Sequence, residues 1–394
     1  METERPEGLY DGGRQARILV VDDLQSSRML IGSVLMTAGY EHIAYAADGD
    51  EAVTWLRNHP ADMVVLDIAM PRMDGFEACR RIRGELGLDI PILMQTGLQE
   101  ADYRVTAFDA GASDIVSKPI NAGELVSRVR LHLDRRRMFD RLQRYRRRME
   151  DELRVAQAMQ LSLLASDADT AAIARPRGAS VETFYQPSNT LGGDLWQVFP
   201  VDERRFAIFM VDLSGHGVSA AINAFRVHML AAGLEAERAD PAAWLGGLNR
   251  ALAGILPVEH FATAFYGIVD PAGGRLDYAA AGWPDPLLLR ADGGWAPLDG
   301  SGLILGCAAE ARYETRHADL APGDRLFVYS DALCENFDIP DASLDADEVA
   351  GAARAALAYG GSFAAALLGR LFAGRRESLR DDLTLVLVGL EDRP

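Results

Sequence analysis

The chain has 394 residues, of which 49% are hydrophobic and 25% are charged, and its formal net charge at pH 7 is −18. This length predicts two or three domains, each large enough to bury its own core. The negative charge argues against a nucleic-acid or anionic-membrane surface, since both require a positive footprint. No apolar run approaches the roughly 18 residues of a membrane span, and residues 1–13 lack a signal-peptide core. With three scattered cysteines, which suit a reducing compartment, we expect a cytoplasmic protein.

Short apolar runs alternate with amphipathic segments through residues 16–134, after a tail at residues 1–15 that we expect to be flexible. Continuous apolar strands separated by helices predict an α/β domain with a five-stranded, parallel, doubly wound sheet. The predicted strands are Ile18–Val21, Ile43–Ala46, Met63–Leu66, Ile92–Gln95 and Ile115–Ser117, and the predicted helices include Ser26–Ala38, Asp50–Asn58 and Phe76–Leu86.

Three aspartates directly follow two of these predicted strands. Asp22 and Asp23 come after the first strand and Asp67 after the third, so neighbouring parallel strands would bring them together. Clustered carboxylates repel one another unless a cation neutralises them, which predicts a Mg²⁺ site. Asp67 is the candidate nucleophile toward a phosphoryl donor, and Thr96 and Lys118 are candidates to bind the phosphoryl oxygens.

The segments that carry these residues resemble a two-component receiver domain in order and spacing. They are Val20-Val21-Asp22-Asp23, Leu66-Asp67-Ile68-Ala69-Met70-Pro71-Arg72-Met73-Asp74-Gly75, Gln95-Thr96-Gly97 and Lys118-Pro119. The resemblance implies Asp67 as phosphoacceptor, Asp22 and Asp23 as Mg²⁺ ligands, and Thr96 and Lys118 as switch residues. It also implies a cognate histidine kinase or phosphotransfer protein as partner. Ile115 stands where receivers often carry a switch aromatic residue, which predicts a different relay or signalling partly without phosphorylation.

An arginine-rich segment at residues 135–165 follows, without proline or glycine. Its apolar residues recur in a short heptad pattern that predicts a long helix. The heptad positions are Leu142, Tyr145, Met149, Ala156, Met159 and Leu163. Two interpretations remain open: a solvated basic linker, or a coiled-coil helix through which two copies of the chain form a homodimer.

The remaining residues, 166–394, mix alternating strand-like runs with helical stretches and turn clusters, which predicts an α+β domain. The predicted strands are Phe206–Val211, Ala264–Val269, Leu287–Leu289, Arg325–Tyr329 and Thr384–Val388, and the predicted helices are Ser219–Leu234, Ala242–Leu256 and Ala346–Phe372.

Four separate segments of this domain carry aspartates beside apolar strands or glycines. They are Gly192-Gly193-Asp194, Val211-Asp212-Leu213-Ser214-Gly215-His216-Gly217, Ser330-Asp331 and Asp381-Asp382. Because no cysteine or histidine cluster accompanies them, the set predicts a binuclear site with oxygen ligands for Mn²⁺ or Mg²⁺. Two such ions can acidify a shared water and direct it at phosphorus.

This pattern resembles the PPM family of metal-dependent protein phosphatases, specifically its bacterial sporulation-phosphatase-like branch. The resemblance runs from about Leu153 to Leu390 and includes Ala156–Leu164, Gly302 and Leu305-Gly306. It implies a central β-sandwich flanked by helices, with two metals at one edge. The implied ligands are Asp212 as the bridge, the Leu213 carbonyl, Asp194, Asp331 and Asp381, with Asp382 as the fallback for Asp381.

Three residues depart from the usual pattern of that branch. Gln197 replaces a second aspartate after the Gly-Gly-Asp segment, Ala332 replaces a glycine, and Trp283 stands where a Gly-His pair is common. None of the three removes a core ligand, but they predict slow or conditional turnover. His216 is a candidate proton donor to the leaving group, with a plain turn residue as the alternative.

These patterns predict a response regulator whose receiver, phosphorylated on Asp67, controls a metal-dependent protein serine/threonine phosphatase. The resemblance implies a phosphorylated anti-sigma-factor antagonist as substrate, and hence sigma-factor regulation in a stress response. The alternative is an adaptor of the RssB type, which binds a stress sigma factor and delivers it for proteolysis with little or no phosphatase activity. Retention of all four aspartates favours the enzyme. A DNA-binding regulator is disfavoured, because the C-terminal region is acidic and too long for a simple helix-turn-helix.

Overall fold

The computed structural model describes residues 15–97, 101–215, 217–256, 260–335, 343–359, 361–372 and 379–391. Residues 1–14 of the predicted N-terminal tail lie outside the described residues. The chain divides into two compact units, Met1–Met149 and Glu150–Pro394.

The first unit alternates strands and helices along the chain. Its elements are β1 (Arg17–Val21), α1 (Gln25–Thr37), β2 (His42–Ala46), α2 (Gly49–Asn58), β3 (Met63–Asp67), α3 (Gly75–Gly84), β4 (Ile92–Thr96), α4 (Ala101–Asp109) and β5 (Asp114–Ser117). The strands form one parallel sheet in the order β2-β1-β3-β4-β5. This order places the carboxyl ends of β1 and β3 side by side, as the sequence predicts.

Apolar residues cover both faces of this sheet. Helices α2, α3 and α4 bury one cluster against it, which includes Val53, Cys79 and Ala107. Helix α1 packs on the other face through Ile31 and Leu35. The predicted doubly wound α/β fold is therefore confirmed.

Helix α5 (Ala122–Leu161) links the two units as one continuous helix, which confirms the long helix expected from the heptad pattern. Its first turns bury Leu125, Val129 and Leu133 in the core of the first unit. Several apolar residues farther along are exposed, among them Leu142 (64%) and Met159 (60%). The helix therefore presents apolar side chains that its own chain does not cover.

The second unit contains two antiparallel five-stranded sheets. Its strands are β6 (Ala179–Gln186), β7 (Leu195–Pro200), β8 (Phe206–Leu213), β9 (Ala262–Asp270), β10 (Arg275–Ala281), β11 (Leu287–Leu289), β12 (Trp295–Pro297), β13 (Arg316–Asp319), β14 (Arg325–Tyr329) and β15 (Leu383–Leu390). One sheet has the order β13-β10-β9-β8-β7 and the other β12-β11-β14-β15-β6. Side chains from both sheets, such as Met210 and Val386, share one buried cluster.

Helices pack against the outer face of each sheet. Those of this unit are α6 (Asp167–Ala174), α7 (Val218–Ala232), α8 (Pro241–Leu252), α9 (Ala332–Glu335), α10 (Ala346–Tyr359) and α11 (Phe363–Leu371). Residues of α7 and α8 pack on the sheet that contains β8, and those of α10 and α11 on the sheet that contains β15. The predicted β-sandwich flanked by helices is confirmed.

One predicted helix is wrong in its extent. The segment Ala346–Phe372 forms two helices, α10 and α11, and not one. Gly361 has a φ of 89°, which a right-handed helix does not accommodate. Ser362 then caps α11, because its side chain accepts a hydrogen bond from the Ala365 amide.

Among the residues that the structure describes, no helix combines the length and the apolar character that a membrane crossing requires.

Candidate metal and phosphoryl sites

The three receiver aspartates meet at the carboxyl edge of the parallel sheet. Ligand oxygens of Asp22, Asp23 and Asp67 all lie within 4.8 Å of one another. Asp22 and Asp67 are buried, whereas Asp23 is exposed. In the described part of the chain, no other group of acidic, histidine or cysteine side chains brings three ligand atoms this close.

Lys118 joins two of these carboxylates. Its Nζ lies 3.0 Å from Asp22 Oδ2 and 2.9 Å from Asp67 Oδ2. Burial raises the pKa of Asp67, and Lys118 opposes that rise only in part. Burial disfavours the charged ammonium, but hydrogen bonds to Asp67 and Asp22 outweigh it and raise the pKa of Lys118. Lys118 is the only lysine in the chain. The compact ammonium charge of a lysine side chain therefore occurs only at this site.

The receiver site fits a Mg²⁺ ion. The ammonium of Lys118 contacts two of the three clustered carboxylates, so negative charge remains in excess. The ligand set is composed of carboxylate oxygens, which Mg²⁺ prefers. Thr96, at the end of β4, is 6% exposed and lies one strand from Asp67 in the sheet. The Lys118–Pro119 peptide bond is cis.

Ile115 lies on β5, where receivers often carry the switch aromatic. Its side chain is 2% exposed and belongs to the apolar cluster that also contains Met94 and Ala107. An aliphatic side chain packed in this way contributes to the core of the receiver.

The four candidate metal aspartates of the second unit interact electrostatically with one another. Burial raises the pKa of Asp194 well above its usual range, and the Asp212 charge raises it further. Burial, Asp331 and Asp381 raise the pKa of Asp212 to about 7. Burial and Asp381 raise the pKa of Asp331 to about 6. The structure therefore assembles carboxylates from four segments in one place.

Two carboxylate oxygens of this cluster are buried without a protein partner. Asp194 Oδ1 and Asp331 Oδ1 have no hydrogen-bond donor among the described residues. A buried polar atom without a partner is costly unless a ligand satisfies it. Together with the raised pKa values and the all-oxygen donors, this arrangement fits divalent cations such as Mn²⁺ or Mg²⁺.

Hydrogen bonds across the second sheet hold the candidate ligands in place. Thr384 Oγ1 donates to Asp194 Oδ2. Ser330 Oγ donates to the Asp382 carbonyl oxygen at 2.9 Å and accepts from the Thr384 amide at 2.9 Å. These bonds tie the end of β14, which precedes Asp331, to the turn that carries Asp381.

Asp382 has a different environment from Asp381. Its Oδ1 accepts hydrogen bonds from the amide and the hydroxyl of Ser188, at 2.7 and 3.0 Å. Its Oδ2 accepts from the Gly193 amide. Both oxygens of Asp382 thus anchor the loop before Asp194, and Gly193 also lies against the Leu213 carbonyl, since a Cβ there would be 2.7 Å from that oxygen.

The three departures from the family pattern have structural environments of their own. Gln197 Nε2 lies 2.9 Å from His228 Nδ1 of α7, and burial lowers the pKa of His228. Trp283 is 3% exposed and packs in the cluster between the sheets. Ala332 is buried at the start of α9. His216 lies outside the described residues.

Three buried polar residues that form hydrogen bonds near the candidate ligands are not among the site residues predicted from the sequence. Thr384, Ser330 and Gln160 are all buried polar residues. Gln160, in the last turn of α5, forms two hydrogen bonds with the backbone of Gly192. For Thr384, the available signal was the presence of a polar residue inside an apolar strand. No signal in the sequence indicated which residue Gln160 contacts.

Comparisons with known families assign both units. Residues 18–130 match the family described as "Response regulator receiver domain", and residues 202–391 match "Stage II sporulation protein E (SpoIIE)". The fold and the sites thus define a receiver domain joined to a PPM-type phosphatase domain. The chain contains a response-regulator receiver domain and a SpoIIE-like phosphatase domain.

Individual relatives match one unit each. "Response regulator MprA" of Mycobacterium sp. (strain KMS) is 44% identical over 119 residues, which are 30% of this chain and 51% of that protein. "Probable transcriptional regulator ycf27" of Cyanophora paradoxa is 43% identical over 119 residues, 30% of this chain and 48% of that protein. The chain thus spans about half the length of the curated relatives it matches.

A solved structure resembles the second unit. The SiaA-PP2C domain of Pseudomonas aeruginosa aligns with a TM-score of 0.54 and 22% identity, covering 63% of this chain and 98% of that domain. This likeness shows the PP2C fold. The PPM family is metal-dependent in general.

Proposed function

We propose that phosphorylation of Asp67 controls a metal-dependent protein serine/threonine phosphatase located at Asp194, Asp212, Asp331 and Asp381. The observation that carries the proposal is the convergence of these four carboxylates: burial of Asp212 and repulsion by Asp331 and Asp381 raise the pKa of Asp212 to about 7. Protein groups perturbed in this way concentrate at functional sites. A pair of divalent cations would relieve the repulsion.

The proposed ligands are the four aspartates and the Leu213 carbonyl, with Asp212 as the bridge. Bound Mn²⁺ or Mg²⁺ ions would supply an acidified water and neutralise the phosphoryl oxygens. The Thr384 hydroxyl orients Asp194. Because both oxygens of Asp382 hold the backbone before Asp194, we assign Asp382 to positioning and keep Asp381 as the ligand.

In the receiver, Asp67 is the proposed acceptor of a phosphoryl group from a histidine kinase or a phosphotransfer protein. Asp22, Asp23 and Asp67 would hold Mg²⁺. Lys118 already contacts Asp67, so its ammonium is close enough to pair with a phosphoryl oxygen on that carboxylate. Thr96 would donate a hydrogen bond to another phosphoryl oxygen.

We also propose the division into a receiver at residues 16–134, a helical linker at 135–165 and a phosphatase domain at 166–394. Helix α5 would transmit the state of the receiver. Leu142, Tyr145 and Met159, each at least 60% exposed, support a homodimer through this helix, because exposed heptad residues are buried when two helices pair.

The substrate is proposed on the family resemblance: a phosphorylated anti-sigma-factor antagonist, with a cytoplasmic location and an effect on sigma-factor availability. The alternative remains an adaptor that binds a stress sigma factor and delivers it for proteolysis. The retained ligand set favours the phosphatase, since a binding module has no need of four mutually repelling aspartates.

The test is hydrolysis of para-nitrophenyl phosphate by the full-length chain with Mn²⁺, with and without beryllium fluoride as a phosphoryl mimic at Asp67. We expect Mn²⁺-dependent turnover that Asp212→Ala abolishes. Beryllium fluoride should change the rate in the wild type and leave Asp67→Ala unaffected.

Asp347→Ala, an exposed aspartate on α10, is the matched control and should retain wild-type turnover. Folded wild-type protein that fails to bind Mn²⁺ and to hydrolyse the ester, with or without the mimic, would overturn the enzyme proposal. Binding of a sigma factor by that inactive protein would then establish the adaptor.

A further inference from the structure

Gln160 is a buried polar side chain in the last turn of helix α5, within the second unit. Its side chain is 3% exposed. Nε2 donates to the Gly192 carbonyl oxygen at 2.6 Å, and Oε1 accepts from the Gly192 amide at 3.2 Å. One side-chain amide therefore satisfies both backbone groups of a single residue, much as a neighbouring strand would.

Gly192 lies two residues before the candidate metal ligand Asp194. The loop between them is held on its other sides by the Asp382 carboxylate, which accepts from the Gly193 amide, and by the backbone near Leu213. A Cβ on Gly192 would collide with the Tyr185 hydroxyl and with Asp382. These contacts leave the loop little room to move independently of Gln160. A displacement of Gln160 would therefore also displace Asp194.

Apolar packing anchors the chain after α5 independently of Gln160. Leu163 and Leu164 pack against the buried clusters of the second unit. The hydrogen bonds of Gln160 are therefore not needed to keep this segment docked. Their distinct effect is to connect the last turn of α5 with the loop that carries Asp194.

We propose that Gln160 is a positioning residue: it couples the last turn of α5 to Asp194, so that the placement of this turn sets the affinity of the phosphatase site for metal. The inference rests on the proposed function, since it concerns the same site. It identifies the contact through which helix α5 acts on that site. Gln160 touches no reacting atom, and its effect is exerted through the Gly192 backbone.

The test compares Gln160→Met with Gln157→Met in the full-length chain. Methionine keeps the length and approximate volume of glutamine but forms neither hydrogen bond. Gln157, three residues earlier on α5, is half-buried, and its side chain makes no hydrogen bond within the described residues. Mn²⁺ affinity is measured by calorimetry, thermal unfolding is measured without metal, and turnover of para-nitrophenyl phosphate is measured against Mn²⁺ concentration.

We expect Gln160→Met to bind Mn²⁺ about 10-fold more weakly, at the lower end of the effects seen when partners of metal ligands are removed. High Mn²⁺ should restore its maximal turnover, which a general folding defect would not allow. Gln157→Met should match the wild type in all three measurements.

Mn²⁺ affinity in Gln160→Met equal to that of the wild type would overturn the inference while leaving the proposed phosphatase intact. Turnover that stays low at saturating Mn²⁺ would also overturn it, because the residue would then act on folding or chemistry. A wild-type protein without Mn²⁺ binding or turnover would overturn the proposed function, and this inference with it.

Discussion

Asp381 and Asp382 are consecutive in the chain but have opposite environments. Asp381 is exposed, and its charge raises the pKa values of Asp212 and Asp331. Asp382 is 3% exposed, and its two oxygens accept hydrogen bonds from Ser188 and Gly193. Two adjacent residues of the same type thus differ in role: Asp381 is a candidate metal ligand, and Asp382 is a structural anchor.

The first prediction separates these two roles. Asp382→Ala leaves the buried Gly193 amide without its acceptor, so the free energy of unfolding should fall by about 1–3 kcal/mol without metal. Asp381→Asn removes a repelling charge and should not lower stability, but it should weaken Mn²⁺ binding. Urea unfolding in EDTA and calorimetry with Mn²⁺ measure the two quantities. An unchanged free energy of unfolding in Asp382→Ala would contradict the structural role assigned to Asp382.

The second prediction concerns the pH dependence of the metal-free protein. The pKa values of Asp212 and Asp331 are raised by burial and repulsion to about 7 and about 6, whereas an unfolded aspartate titrates near 4. The folded state therefore holds protons that the unfolded state has released. The free energy of unfolding should fall as the pH rises from about 4 to about 7.

Asp212→Asn should flatten that decline and stabilise the metal-free protein at pH 8 by on the order of 1 kcal/mol, or about 2–4 °C in Tm. Urea unfolding in EDTA at several pH values measures it. Saturating Mn²⁺ should reverse the ranking, with the wild type becoming the more stable protein. A steeper decline in the variant would refute the proposed repulsion.

The third prediction uses the single lysine of the chain as a reporter. Selective ¹³C-methylation of amines would give one lysine signal, from Lys118, besides that of the α-amino group. Its pKa should lie above the ordinary lysine value, because Asp67 and Asp22 stabilise the charged form. Both Asp67→Asn and added Mg²⁺ should lower it, since each reduces the negative charge near the ammonium.

Titration of that signal by NMR measures the effect, and Asp50→Asn, an exposed aspartate of the same unit, is the control. An unchanged pKa of Lys118 on addition of Mg²⁺ would argue against a metal site at Asp22, Asp23 and Asp67.

The fourth prediction concerns Thr384, whose hydroxyl donates to Asp194. Thr384→Val keeps the shape of the side chain but removes the donor, so the pKa of Asp194 should rise further. We expect Mn²⁺ affinity to fall by about 10-fold, more strongly at low pH, because protons then compete better for the carboxylate. Thr183→Val, on the adjacent strand β6, is the matched control for calorimetry and should bind normally.

The sequence identified the sheet of the receiver and its strand-end aspartates because each motif is local. Asp22 and Asp67 directly follow buried apolar runs, and parallel strands place such residues at one edge. The second unit was less accessible to prediction. The sequence does not predict strands β6, β7, β10, β12 and β13. It predicts one helix in place of α10 and α11, since alanine-rich periodicity continues on both sides of the break at Gly361.

By itself, the sequence determined the two domain classes, the linking helix and the candidate metal ligands. These follow from local patterns of apolar runs and carboxylates. Only the tertiary structure decided which groups support them: Thr384 reaches Asp194 across 190 residues, and Gln160 reaches Gly192 across 32. Such partners are brought together by the packing of sheets and helices, and a hydrogen bond between distant segments leaves no local pattern in either of them.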